Sequence, residues 1–203
     1  MEYYTVLEEC KEEILVKRSR FIATVFPCNT VDEAEVYIKK TCSKYHDAKH
    51  NCYAYIVGSV MRFSDDGEPS GTAGKPILNL IQHKNLNNCL IVVTRYFGGI
   101  LLGTGGLLRA YSDAAIKVLD SSKLVLLKDF LILAAEYDYM FQGLVETTLK
   151  SYNGRIIDTV FSDVVSIKVA VPKKETEVFI NSLHAKSCGK LNFSKICEKF
   201  LKI

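Results

Sequence analysis

At 203 residues with a formal net charge of +3, the chain can hold one large domain or two small ones, and it is far from the charge balance of a histone-like or polybasic protein. A hydrophobic content of 48%, a charged content of 24% and four prolines supply a core and exclude obligatory disorder. No apolar run approaches the roughly 18 residues that span a bilayer, and the opening Met-Glu-Tyr-Tyr-Thr-Val-Leu-Glu-Glu lacks a signal-peptide layout, so a cytoplasmic protein with no membrane partner is expected.

Alternating Ile14, Val16, Phe21, Ala23 and Val25 make residues 3 to 27 two strands, interrupted by Lys17-Arg18-Ser19-Arg20. Thr30 and Glu33 form a capping box for a helix running to about Tyr45. Two short strands follow, Cys52 to Val57 and Val60 to Phe63, about the turn Gly58-Ser59. The stretch Ser64 to Pro76 has too many turn formers for a regular element, and long ordered loops of this kind tend to carry function. A short helix over Ile77 to Ile81, a buried strand from Cys89 to Tyr96 and an amphipathic helix from Gly105 to about Ser121 complete the first half. From Phe130 the pattern becomes strand, helix, strand, strand, helix, strand, the split-βαβ order of a ferredoxin-like fold, with Gly154 stopping its first helix. The expectation is two α+β domains, residues 1–128 and 129–203.

The densest chemical signal is the stretch of residues 91 to 111, where an apolar strand runs through two glycine clusters into a helix. Gly98, Gly99, Gly103, Gly105 and Gly106 permit positive φ or close backbone approach, and Arg95 and Arg109 flank the bare amides of a helix start. Such a corner suits an anion, and it equally suits close packing of a helix on a sheet. It is neither a Walker A loop nor a dinucleotide fingerprint. Arg95, at the end of an apolar strand, needs either a phosphate or an internal carboxylate such as Asp65, Asp66 or Glu68. Those three acids are candidates for holding Mg²⁺, or form a solvated turn. Lys75 and the basic Arg18 and Arg20 beside Phe21 are further phosphate candidates.

Seven cysteines without a C-x-x-C pair point to reduced core thiols rather than a disulfide framework. Cys42, His46, His50 and Cys52 fit no standard zinc spacing, and nothing spells covalent catalysis, so no metal, cofactor or catalytic residue is expected.

Four ordered motifs, Lys17 to Ala23, His50 to Tyr55, Ser64 to Pro76 and Val93 to Leu107, together closely resemble the YigZ/IMPACT family. The resemblance implies the bacterial two-domain type, an N-terminal domain like domain IV of elongation factor G and a ferredoxin-like C-terminal domain. Relatives of both touch RNA on the ribosome, which implies a translation-related regulator without an established reaction. The expected partner is RNA or the ribosome, held by Arg18, Arg20, Lys75, Arg95, Arg109 and the glycine turns. The alternatives are a protein partner docking on 64–76 and a Mg-dependent enzyme acting on a phosphorylated small molecule.

Overall fold

The computed structural model describes residues 2–202 and shows an α+β protein of two compact units, Tyr3–Leu126 and a second that joins Glu2 to the chain from Leu127 onward. In the first, β1 (Glu2–Val6), β2 (Cys10–Val16) and β3 (Ser19–Pro27) lead into α1 (Val31–Lys44). Then come β4 (His50–Val57), β5 (Val60–Ser64), α2 (Gly74–His83), β6 (Cys89–Tyr96) and α3 (Gly103–Asp120). An antiparallel sheet of order β2-β3-β6-β4-β5 puts β6 at the centre.

Both faces of that sheet are covered, which is why β6 reads as a continuous apolar run rather than an alternating one. Ile91 and Val93 point with Phe21, Ala23 and Ala54 towards α2 and α3. Leu90 and Val92 point the other way, with Phe26 and Tyr55, onto Ala34 and Ile38 of α1. The capping box at α1 is present: the Glu33 N–H donates to Thr30 Oγ1 at 3.1 Å, and the Glu33 carboxylate reaches back to the Asn29 N–H at 2.7 Å.

Residues 3 to 27 hold parts of three strands rather than two. The additional one, β1, is tied to a segment distant in sequence: the Tyr4 N–H donates to the Asn85 carbonyl and the Asn87 N–H to the Tyr4 carbonyl, both at 2.9 Å. Between β2 and β3 the chain turns in two residues, Lys17 (φ 44°) and Arg18 (φ 68°), both left-handed as a type I′ hairpin requires.

Strand register then gathers three loops. Arg20 lies opposite Tyr96, His50 opposite Arg95 and Ser64 opposite Tyr53. The 17–18 turn, the 65–73 loop and the 97–102 loop therefore leave the same end of the sheet.

The second unit contains β7 (Leu124–Tyr137), α4 (Gln142–Ser151), β8 (Arg155–Phe161), β9 (Val165–Pro172), α5 (Thr176–Lys186) and β10 (Ser194–Lys202); the division between the units falls within β7. The sheet has five strands: β1 and β10 both pair with the long β7, which continues to β9 and β8, and the antiparallel part β10-β7-β9-β8 has the ferredoxin-like order, with Leu133, Ile167 and Val169 packed on Val145, Leu149, Phe179 and Leu183 of the helices. Gly154 follows α4, but the left-handed residue is Asn153 (φ 52°). Gly154 packs closely: a Cβ there falls 2.3 Å from Leu149 Cδ1 and 3.2 Å from the Ala170 carbonyl oxygen, so Leu149 would have to shift to admit one. No helix among the described residues is long and apolar enough to cross a membrane.

Thr30→Ala removes the side-chain acceptor at the start of α1 and is expected to cost about 1 kcal/mol, read as a lower urea midpoint at unchanged slope.

Candidate functional site

The loop end of the first unit is organised around carboxylates that point inward. Asp65 Oδ1 accepts from the Ala73 and Gly74 N–H groups at 3.0 and 2.8 Å, and Oδ2 from the Gly71 N–H at 2.8 Å. One side chain thus folds the 65–73 loop and satisfies amides at the start of α2. Asp66, left-handed at φ 42°, accepts from the Asn51 N–H through its carboxylate, while its carbonyl accepts from His50 Nδ1 at 2.6 Å.

Glu68 is buried, and it takes Arg95 with it. Arg95 Nη1 donates to Glu68 Oε1 at 2.6 Å, the Tyr111 hydroxyl donates to the same oxygen at 2.9 Å, and His50 Nε2 lies 3.8 Å away. Arg95 is only 5% exposed, because it is the last inward residue of β6 before the strand leaves the sheet. Its guanidinium lies over the rings of Phe21 and Phe97 at 5.4 and 5.5 Å. Of the two partners open to Arg95 from sequence, the internal carboxylate is the one it meets, since a buried cation is tolerated only when paired.

A second buried contact joins the β2–β3 turn to the glycine loop. Ser19 Oγ accepts from the Gly98 N–H at 3.2 Å and from Arg95 Nη2 at 3.4 Å. A Cβ on Gly98 falls 2.0 Å from the Arg18 carbonyl carbon, so only glycine lets the two backbones meet. Gly99 (φ 83°) and Gly103 (φ 71°) take left-handed conformations, whereas Gly105 has neither a positive φ nor a neighbour within 4 Å of a Cβ.

The candidate cations are dispersed accordingly. Arg18 is exposed on the turn, and Arg20 pairs with Glu13 at 3.6 Å and stacks over Tyr96 at 4.7 Å. Arg109 is exposed on the face of α3 opposite the buried Leu107, Ala110 and Tyr111. Lys75 lies over the Phe63 ring of β5, three strand spacings, or about 14 Å, across the sheet from β3. Asp65, Asp66 and Glu68 are turned to protein donors rather than to a common point, and no group of three or more His, Cys, Asp or Glu placed to hold a metal occurs among the described residues. The residues that sequence reasoning passed over are Ser19, His50 and Tyr111 as partners of this network. The signal for Tyr111 was a hydroxyl on the apolar face of α3, where a buried O–H requires an acceptor.

Burial sets the acid–base character of this end. It pushes the Tyr111 hydroxyl far up and does the same to the Cys52 thiol, which lies 3.0 Å from the Asp65 carbonyl and 3.3 Å from the Tyr111 oxygen. On the opposite face burial also pushes the Cys28 thiol up, to about 12.

Residues 17–119 match the model of the Impact N-terminal domain and residues 135–190 that of a domain of unknown function, DUF1949. The chain belongs to the IMPACT family. It is 38% identical over 180 residues to the IMPACT family member YvyE of Bacillus subtilis, covering 87% of this chain and 83% of that one. To the IMPACT family member YigZ of Escherichia coli it is 35% identical, covering 96% and 95%. Protein IMPACT of Rattus norvegicus is 36% identical over 93 residues, 43% of this chain and 29% of the rat protein. A crystal structure of a hypothetical protein superposes with a TM-score of 0.63 at 30% identity, covering 97% of this chain and 98% of its own.

Glu68→Gln leaves Arg95 buried without its counter-charge and is expected to destabilise the first unit by about 3–5 kcal/mol, seen by urea denaturation. Raised thiol and phenol values mean protonated groups in the fold that ionise in the unfolded chain. Their stabilisation is complete below the ordinary thiol value of 9.0 and is lost as pH climbs towards the Cys28 value of about 12. Urea midpoints measured up this pH range should fall, and Cys28→Ala should shallow the fall.

Proposed function

We propose that the chain is a non-catalytic, translation-related regulator that binds RNA through the loop end of its first unit. The observation that carries this reading is the seating of Gly98 on the β2–β3 turn, which brings Arg18 against the glycine-rich loop. Around that contact, cations alternate with aromatic faces: Arg20 over Tyr96 at 4.7 Å and Lys49 over Phe97 at 5.5 Å. Single-stranded nucleic acid is held by this combination, phosphates on the cations and bases on the rings. Arg18 and Arg109 make no ion pair among the described residues, so their charge is available to phosphate. Gly99, Gly103 and Gly105 leave the main chain open to close approach. Arg95 contributes by holding Phe97 from beneath rather than by gripping phosphate itself. Lys75 serves an outer contact across the sheet.

A second reading, docking of a protein partner on the same edge, is favoured by the exposed Phe97, Ile100 and Leu101, the last 84% exposed. A pulldown with and without nuclease separates the two, because protein partners that survive nuclease support docking.

If about four phosphates are neutralised, log K for an RNA with single-stranded segments should fall against log salt with a slope of about −3 to −4, and Arg18→Ala with Arg20→Ala should reduce its magnitude by about 1 to 2. Filter binding that detects no affinity at low salt ends the RNA reading.

A further inference from the structure

A small cavity of about 70 Å³ lies on the α1 face of the first unit, between β2, β3 and the last turns of α1. It has room for about two waters or one compact polyatomic ion, and is far below the roughly 300 Å³ of an organic-ligand pocket. Lys11 of β2 and Lys40 and Lys44 of α1 stand in its lining, and Glu9 is the single acid there.

Two independent observations make it a site for an anion. First, the three lysines carry no counter-charge: none of them makes an ion pair or a hydrogen bond among the described residues, and Glu9 pairs with none of them. Lys11 and Lys44 both lie over the ring of Tyr45, at 5.5 and 5.4 Å, and this contact keeps two like charges beside the cavity. The dipole of α1 accounts for Lys44 in its last turn, but not for Lys11 from another element or for Lys40 a turn earlier. Second, Thr24 is 4% exposed and lines the cavity, yet its hydroxyl makes no hydrogen bond among the described residues. The Tyr45 hydroxyl is likewise unpartnered but sealed off, whereas that of Thr24 keeps accessible surface at the cavity. Lys11 lies directly opposite Thr24 across β2 and β3. A buried hydroxyl without a partner costs free energy, and one that opens among three cations points to an acceptor between them.

Charge, size and position narrow the ligand. Three ammonium groups and a hydroxyl donate from several directions, which suits the tetrahedral oxygens of a phosphate better than a planar carboxylate. Thr24 lies four residues along β3 from Arg20, about 13 Å, on the same face of the sheet. A strand held by Arg20 and Tyr96 is therefore within reach of the cavity.

We propose that this cavity binds a single phosphate group, its oxygens on Lys11, Lys40, Lys44 and the Thr24 hydroxyl. A phosphodiester of a bound RNA strand and free inorganic phosphate share this chemistry. The strand source rests on the RNA-binding reading; the free-anion source does not.

The test uses the full chain, Thr24→Val, and the double variant Lys11→Gln with Lys44→Gln. Valine keeps the branched shape of Thr24 and removes a hydroxyl that has no protein partner, so an unchanged or higher melting temperature reports an intact fold. Glutamine removes the charge and keeps an aliphatic stem beside Tyr45. In filter binding of a single-stranded RNA across a salt series, Thr24→Val is predicted to bind about tenfold more weakly at unchanged slope, because a neutral donor releases no counterion. The lysine variant should show a slope smaller in magnitude by about 0.7, one phosphate of a single strand. In parallel, inorganic phosphate is titrated against chloride at constant ionic strength and read by NMR at the Lys11 and Lys44 backbone amides. Both RNA effects together support the site with the strand as its source. Saturable phosphate-dependent shifts that vanish in Thr24→Val, with RNA affinity alike in all three proteins or absent, support it with the free anion as its ligand. No such shifts, with RNA binding unaltered by Thr24→Val, overturn the site and leave the RNA reading standing, whatever the lysine variant does, because exposed charge alone then explains it. No RNA binding at low salt and no phosphate-dependent shift overturn both.

Discussion

The first unit depends on a single carboxylate oxygen. Glu68 Oε1 accepts from Arg95 of β6 and Tyr111 of α3 and faces His50 of β4, while Glu68 itself comes from the loop between β5 and α2. Four segments far apart in sequence therefore meet at one atom. A buried ion pair of this kind gains little net stability, because desolvating two charges offsets most of their attraction. Its effect is specificity: removing either partner strands a charge, so the loop, the helix and the strand end keep one arrangement.

That arrangement decides what is left outside. With Arg95 drawn inward, the surface is built by what it supports: Phe97 lies over its guanidinium, and Ser19 bridges it to Gly98 and so to the Arg18 turn. The acidic loop, which in sequence has the look of a metal site, spends its carboxylates on backbone amides and on Arg95. Binding groups on loops require a rigid scaffold, and here the scaffold is the acidic loop itself.

How much of this the sequence discloses follows the range of the interactions. The α1 helix was legible because its cap spans three residues, and β6 because burial on both faces writes an unbroken apolar run. The ferredoxin-like order was legible because each of its elements carries its own period. Strand β1 was not, since its strand partner β7 and the residues Asn85 and Asn87 that also bind it all lie some eighty residues or more away. The same limit applies at the site. The glycines and Arg95 stand out locally, but whether Arg95 meets Glu68 or solvent is settled by strand register and not by spacing. Gly98 could be read as permissive, yet the backbone it approaches, at Arg18, is fixed only once β3 pairs with β6.

In the proposed function, RNA lies against the loop end of the first unit. Ultraviolet crosslinking of the full chain to a bound RNA, with the modified peptides identified by mass spectrometry, tests it most directly. Adducts at Tyr96 and Phe97 are predicted, because these rings lie beneath Arg20 and Lys49 at the proposed contact. Adducts confined to the second unit, with none between Lys17 and Leu107, would contradict it.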